Sequence, residues 1–235
     1  MKKALFAICT AVAVGFIAAV GLCVKTLRDT GVETVGQTGN NRIVLDAGHG
    51  GIDGGVSGCE SGTKESELNL AIVYRLKPLL EDIGFEVILT RKTESGLYGA
   101  ATDGFKKRDM AKRREIIQDV NPALVISVHQ NRYSSKNVRG GQVFYRRGDE
   151  NGARFAEGVQ CRLNDLYAEK NVNPRKIVGA ELFMLECTTA PSILVECGFL
   201  SSPLDDALLN TKGWQIRLAE SIAGGVIDYF ALANV

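Results

Sequence analysis

Histidine is scarce in this chain: two in 235 residues, alongside one tryptophan and five prolines. No histidine-rich metal array is therefore available, and any metal centre must be completed by other side chains. Charge of one sign is missing too. The 28 basic and 27 acidic side chains leave a formal net charge of +1, so no basic excess exists to grip nucleic acid by its phosphates. The six cysteines contain no C-x-x-C pair, which removes the zinc-ribbon reading. Cys59, Cys161, Cys187 and Cys197 are too sparse for a disulfide framework and are expected mostly as buried thiols. Internal repeats and low-complexity tracts are also absent. No G-x-S-x-G elbow occurs, and Cys197 has no third histidine to act as its base. Ser61-Gly62-Thr63-Lys64 holds the elements of a phosphate-binding loop in the wrong order.

What is present begins with Met1-Lys2-Lys3 and an uncharged run from Ala4 to Val24, in which Thr10 is the strongly polar exception. As a helix rising ~1.5 Å per residue, this run is about 31 Å long, enough for a bilayer core of ~30 Å. Secretory signal cores are shorter, ~7–15 residues. Ala11-Val12-Ala13 offers a small-x-small cleavage pattern, but in the middle of the run. Leu22 stands before Cys23, where lipidation wants a small residue. Residues 1–24 therefore read as an N-terminal hydrophobic helix, a membrane anchor in preference to a cleaved signal peptide. Either takes the chain out of the cytoplasm. Residues 25–41 lack helical or strand periodicity and read as a linker.

From Arg42 to about residue 232, strand-like and helix-like segments alternate, the pattern of a single α/β domain with a mostly parallel twisted sheet flanked by helices. Strands are expected at 42–46, 85–90, 124–128, 142–145 and 192–195. Helices are expected from Leu68 to Ile83, over 106–119, 151–170 and 214–230. Gly84 stops the first of these, and Pro78 is expected to kink or divide it. The basic charges of 106–119 read as a solvated face, and 91–106 as an irregular insertion or loop.

Both histidines fall at the same kind of place. His49 follows the first strand in Asp46-Ala47-Gly48-His49-Gly50-Gly51, and His129 follows the strand ending at Val128. In open α/β sheets, ligands collect beyond the carboxyl ends of strands. A lone histidine there is ordinarily a structural hydrogen-bonder; two at equivalent places favour convergence on one point. A catalytic zinc takes three protein ligands and leaves a fourth position to water. Asp46, Asp53, Glu60, Glu65, Glu67 and Glu196 are the carboxylates that could complete such a set. Glu65 opens a helix and points back toward the His49 turn, Glu67 lies roughly 200° around that helix, and Glu196 follows the strand 192–195. Six of the eleven residues from Gly48 to Gly58 are glycine, so backbone approaches something closely there.

Four motifs then carry a family resemblance. Leu45-Asp46-Ala47-Gly48-His49-Gly50-Gly51-Ile52-Asp53-Gly54-Gly55 resembles the opening motif of the zinc-dependent N-acetylmuramoyl-L-alanine amidases. Glu65-Ser66-Glu67-Leu68-Asn69-Leu70 is similar to their second, Ser127-Val128-His129-Gln130-Asn131 to their third, and the segment from Pro191 to Ser201 to their fourth. The resemblance spans about residues 42–230, with the motifs in family order. It implies that His49, Glu65 and His129 bind Zn²⁺ and that Glu196 is the general base and acid. The bond cut would join the muramic acid lactyl group to the L-alanine of the stem peptide. Asp46 and Asp53 would orient the ligands or, equally, stabilise turns. Implied partners are peptidoglycan glycan strands with stem peptides, and the membrane through residues 4–24 if these are uncleaved.

Glu186 departs from the pattern, standing where many relatives carry a basic residue. The short single-domain layout and Val195-Glu196-Cys197-Gly198-Phe199 are similar to the spore-cortex subgroup, in which a separate protein partner can be required for zinc loading. Two other readings are weighed against the amidase: a wall-binding homologue that lost catalysis, and another zinc hydrolase such as a peptidase or deacetylase.

Overall fold

A computed structural model describes residues 40–100 and 103–233, the side chain of residue 233 excepted. The expected N-terminal hydrophobic helix and most of the linker lie outside the described residues. Among the described residues, no helix is long and apolar enough to cross a membrane. The elements in chain order are β1 (Arg42–Ala47), α1 (Glu65–Asp82), β2 (Glu86–Leu89), α2 (Phe105–Val120), β3 (Leu124–Asn131) and β4 (Gln142–Arg146). They continue as α3 (Glu150–Ala168), β5 (Val178–Ala180), a 3-10 turn at Phe183–Glu186, β6 (Ser192–Phe199), α4 (Pro203–Leu209) and α5 (Lys212–Ala233).

The strands form one six-stranded sheet in the order β2-β1-β3-β6-β4-β5. β1 runs parallel to β2 and β3, β3 parallel to β6, and β4 parallel to β5. β4 runs antiparallel to β6, so the sheet is mixed, though four of its five strand pairings are parallel, as the mostly parallel expectation has it. The reversal has a plain cause. The segment from Asn131 to Gln142 is a loop with no crossover helix, and a parallel return needs one of a dozen residues or more.

Strand alternation divides the sheet into two unlike faces. Ile43, Leu45, Ile126, Val128, Val143, Ile193 and Val195 are buried on one face, beneath the apolar stripes of α1, α3 and α5. Leu68, Ile72, Leu76 and Leu80 of α1 recur at helical spacing and supply part of that cover. The opposite face holds a small cluster of Val44, Ile117, Val125, Met184 and Cys187 under α2 and the 3-10 turn. Toward the carboxyl ends of the central strands this second face turns polar, with Asp46, Ser127, His129 and Glu196 on it.

Several local expectations are corrected. Pro78 sits inside α1, which runs from Glu65 to Asp82 as one element and is not divided. β5 and α4 are additional elements; β5 has three residues and one neighbouring strand, too little for a periodic signal. Cys187 and Cys197 are buried, but Cys59 and Cys161 are exposed, so the thiols divide evenly. The basic helix α2 is not merely solvated: Arg113 and Asp109 are buried in it.

Candidate metal centre

Three elements deliver the site. His49 comes from the turn after β1, Glu65 from the first position of α1, and His129 from within β3. One nitrogen of each histidine and one oxygen of Glu65 all lie within 4.8 Å of one another. His49 Nε2 is 3.3 Å from Glu65 Oε1, and His129 Nδ1 is 2.9 Å from the same oxygen. Tetrahedral zinc with bonds of ~2.0–2.1 Å holds its donors roughly 3.3 Å apart, so this spacing fits the ion with small side-chain adjustments. The two rings meet edge to face, 5.1 Å between centroids.

Each donor is held from behind. Glu65 is 3 % exposed. Its Oε1 accepts from the Gln130 backbone N–H at 3.1 Å and from Asn69 Nδ2 at 3.4 Å, while Oε2 accepts from the Val56 N–H at 2.9 Å. Asn69 also donates to the Gly48 carbonyl and accepts from Gln130 Nε2, tying the α1 start to β1 and β3. Burial pushes the Glu65 carboxyl up, but the two histidines against it outweigh that and hold it well below the usual carboxylate range. His49 Nδ1 lies 2.9 Å from Asp53 Oδ1 without a hydrogen bond between them, while the same Asp53 oxygen accepts from the Gly55 N–H at 3.2 Å, so Asp53 sits beside the imidazole and also ties its own turn. For His49, burial lowers the pKa, and Glu65 followed by Asp53 more than reverses this.

Asp46 does something larger than stabilise a turn. It is fully buried and accepts from Thr90 Oγ1, Ser127 Oγ and Arg113 Nη1. Burial works to raise its pKa; Arg113 and then the two hydroxyls overcome this and hold it at about 2. Arg113 is 1 % exposed and also donates to the carbonyls of Ala47 and His49. Arg91, 2 % exposed, donates to the carbonyls of Ala47, Gly48, Ser66 and Thr93. Two buried guanidinium groups thus clamp the turn in which His49 takes a left-handed backbone conformation, φ 61°. Sequence reasoning missed both arginines. A signal existed for Arg113: Asp109, Arg113 and Ile117 repeat at four-residue spacing, one inward stripe of α2.

The glycine-rich turn now has a reason. A Cβ on Gly48 would lie 2.2 Å from His129 Cε1, and one on Gly55 would lie 2.4 Å from Glu65 Oε2. The turn is stripped of side chains there because the His129 ring and the Glu65 carboxylate fill that space.

Glu196 lies on β6 in register with His129, so both side chains project from the same face of adjacent strands. The expected order at the rim is slightly different from the observed one. His129 and Glu196 sit inside β3 and β6, which continue past them to Asn131 and Phe199. Glu196 Oε2 is buried with no hydrogen-bond partner. Burial pushes its carboxyl up to about 7. Glu67 is exposed, facing away as its helical position predicts, and Glu60 is exposed as well. A cavity of about 200 Å³ opens beside His49 and His129 and is walled by Lys106, Met110, Phe183 and Leu194. Glu186, on the adjoining 3-10 turn, is exposed.

Residues 43–228 match the Amidase_3 family, N-acetylmuramoyl-L-alanine amidase. The chain belongs to that family. Among its relatives, the germination-specific N-acetylmuramoyl-L-alanine amidase of Bacillus subtilis is 31% identical over 191 residues, covering 80% of this chain and 79% of the relative. The amidase AmiA of Escherichia coli is 27% identical over 234 residues, covering 82% and 77%. Among solved structures, the CwlD amidase from Clostridioides difficile, in complex with the GerS lipoprotein, superimposes with a TM-score of 0.77. It shares 32% identity and covers 82% of this chain and all of that one. The family activity is hydrolysis of the amide between the muramic acid lactyl group and L-alanine, as the four motifs imply.

Proposed function

We propose that this amidase is zinc-dependent, with His49, Glu65 and His129 holding the metal and Glu196 carrying the proton. The observation that supports this most is the meeting of three N/O donors from three elements beside a buried, unpartnered carboxyl oxygen on the next strand. Zn²⁺ bound there supplies Lewis-acid polarisation of the lactyl carbonyl and acidifies a water. The buried Glu196 carboxylate takes a proton from the attacking water and returns it to the departing L-alanine nitrogen. Its unpartnered oxygen, buried beside the three donors, leaves the carboxyl free to hold that proton between the two halves of the transfer. Arg91 and Arg113 keep the His49 turn in place, and Asn69 with Gln130 keep Glu65 aimed. The atoms balance as one amide and one water giving a lactyl carboxylate and a free L-alanine amine.

The proposal extends to where this happens. The germination-specific relative and the likeness to CwlD support a role in spore-cortex maturation. The lipoprotein in the CwlD structure supports an accessory protein partner for this chain as well. Export rests on residues 1–24, acting as anchor or signal, with 25–41 as the linker to the catalytic domain. The test is mass spectrometry of the products that the purified, zinc-supplied chain releases from cortex or wall glycan. Free L-alanine amino termini with intact muramic acid are expected. Stem fragments lacking L-alanine, or loss of acetyl groups, would instead assign a peptidase or a deacetylase.

A further inference from the structure

Beyond the metal centre, on the side away from α2, the loops at 137–139 and 171–175 enclose a cavity of about 400 Å³ lined by Asn137, Arg139, Asn171, Asn173 and Arg175. Its two arginines are built into place. Arg139 Nε donates to Asp205, a fully buried carboxylate, at 2.9 Å, and its Nη1 donates to the Lys170 carbonyl. Arg175 Nε donates to the Arg139 carbonyl at 2.9 Å and Nη1 to Gln142 Oε1 at 3.2 Å. Its guanidinium lies over the Phe199 ring, 4.7 Å from the centroid. Asn164 fixes the Arg175 backbone from both sides, accepting from its N–H and donating to its carbonyl. Asp205 balances one of the two cations, so the cavity keeps a net positive charge.

The cavity is coupled to the site by register. Gln142, which holds Arg175, is the antiparallel partner of Glu196, and their side chains share one face. Glu196, Gln142 and Arg175 therefore run in a line across the sheet, away from His129. With strands ~4.8 Å apart and one long side chain beyond, Arg175 lies roughly 10 Å from Glu196. An extended peptide advances ~3.3–3.6 Å per residue, so two to three stem residues cover that span.

Resting on the amidase reading of the site, we propose that this arginine cavity binds a free carboxylate of the stem peptide beyond L-alanine, with Arg175 as the specificity-determining residue. A guanidinium already fixed on two sides loses little freedom on meeting a carboxylate, and its planar fork matches that group. The stem peptide then runs from Glu196 over Gln142 toward Arg175, and the enzyme selects muramic acid that carries a carboxylate-bearing peptide.

The experiment compares two soluble muropeptides that differ in one respect: free stem carboxylates, or the same carboxyls amidated. The holoenzyme is expected to show a kcat/KM ratio, free over amidated, of at least about tenfold, the size of one hydrogen bond to a charged group. In Arg175→Met the ratio falls to about one through a rise in KM, with zinc content and thermal midpoint retained. If Arg175→Met does not fold, Arg175→Gln, which keeps donors for Gln142 and the Arg139 carbonyl, carries the same expectation. Equal cleavage of both substrates by the wild type, or a folded Arg175 variant keeping the wild-type ratio, overturns the inference and leaves the amidase reading standing. Release of peptide from neither substrate overturns both.

Discussion

His49 and His129 have no understudies, because the sequence holds no other histidine. Replacing either with alanine is expected to reduce bound zinc from about one per chain to near zero at micromolar free metal, read by elemental analysis after gel filtration. Glu196 behaves differently. Its carboxyl is ordinarily at 4.5 and is pushed up to about 7 by burial. Between those values the folded metal-free protein holds a proton that the unfolded chain has lost, so the group lowers stability as pH rises through that window. Glu196→Gln removes the penalty. In chelated protein, the variant is expected to match wild type near pH 4 and to exceed it by up to about 3 kcal/mol above pH 8, compared by denaturant melts at both pH values. A gap that stays constant with pH would remove the buried-carboxyl account of this residue. That His49, Glu65 and His129 meet, with Glu196 on the next strand, was legible through the four family motifs, because residue type and placement alone left six carboxylates open. Asn69, Gln130, Arg91 and Arg113 were not, since each binds groups far along the chain that the sequence does not place.

The elements were legible in proportion to their apolar runs. β1, β3 and β6 are buried on both faces for most of their length and read as continuous hydrophobic stretches. β5 has only Val178-Gly179-Ala180 and is defined by its pairing with β4. Pro78 fails to divide α1 because packing of Leu76 and Leu80 against the core outweighs the one backbone bond that proline removes. Two segments shape the surroundings of His49, the helix α2 and the glycine-rich turn. α2 looks like a solvated basic helix, yet it inserts Arg113 to pair with Asp46 and Asp109. Arg113→Met leaves Asp46 buried and unpaired, and is expected to lower stability by about 3–5 kcal/mol, measured by denaturant unfolding. Gly48→Ala acts on chemistry first, because the added methyl meets the His129 ring. Turnover is expected to fall by about 100-fold, the usual size for an ångström of displacement at a catalytic group. Its thermal midpoint should fall less than that of Arg113→Met.

At the scale of the whole molecule, three helices cover one face of the mixed sheet, and α2 with the 3-10 turn cover part of the other, where His129, Glu196 and Gln142 lie side by side on neighbouring strands. The polar rim of that face gathers His49 after β1, His129 of β3 and Glu65 at the start of α1. The run from Ala4 to Val24 adds a prediction at this scale. The full chain is expected in the membrane fraction, and a chain lacking residues 2–24 in the soluble one, with amidase activity in both, read by fractionation and peptide release. The antiparallel β4 could not be read from periodicity, since alternation reports burial and not strand direction. The reversal places Gln142 beside Glu196.

The account stands on a division of labour between three metal-holding side chains and one proton carrier. Zinc content and turnover, measured together on wild type and Glu196→Ala, test it most directly. The account predicts unchanged zinc and a loss of turnover of about 100- to 10,000-fold in the variant. Turnover within a few-fold of wild type, or zinc lost along with activity, would contradict it.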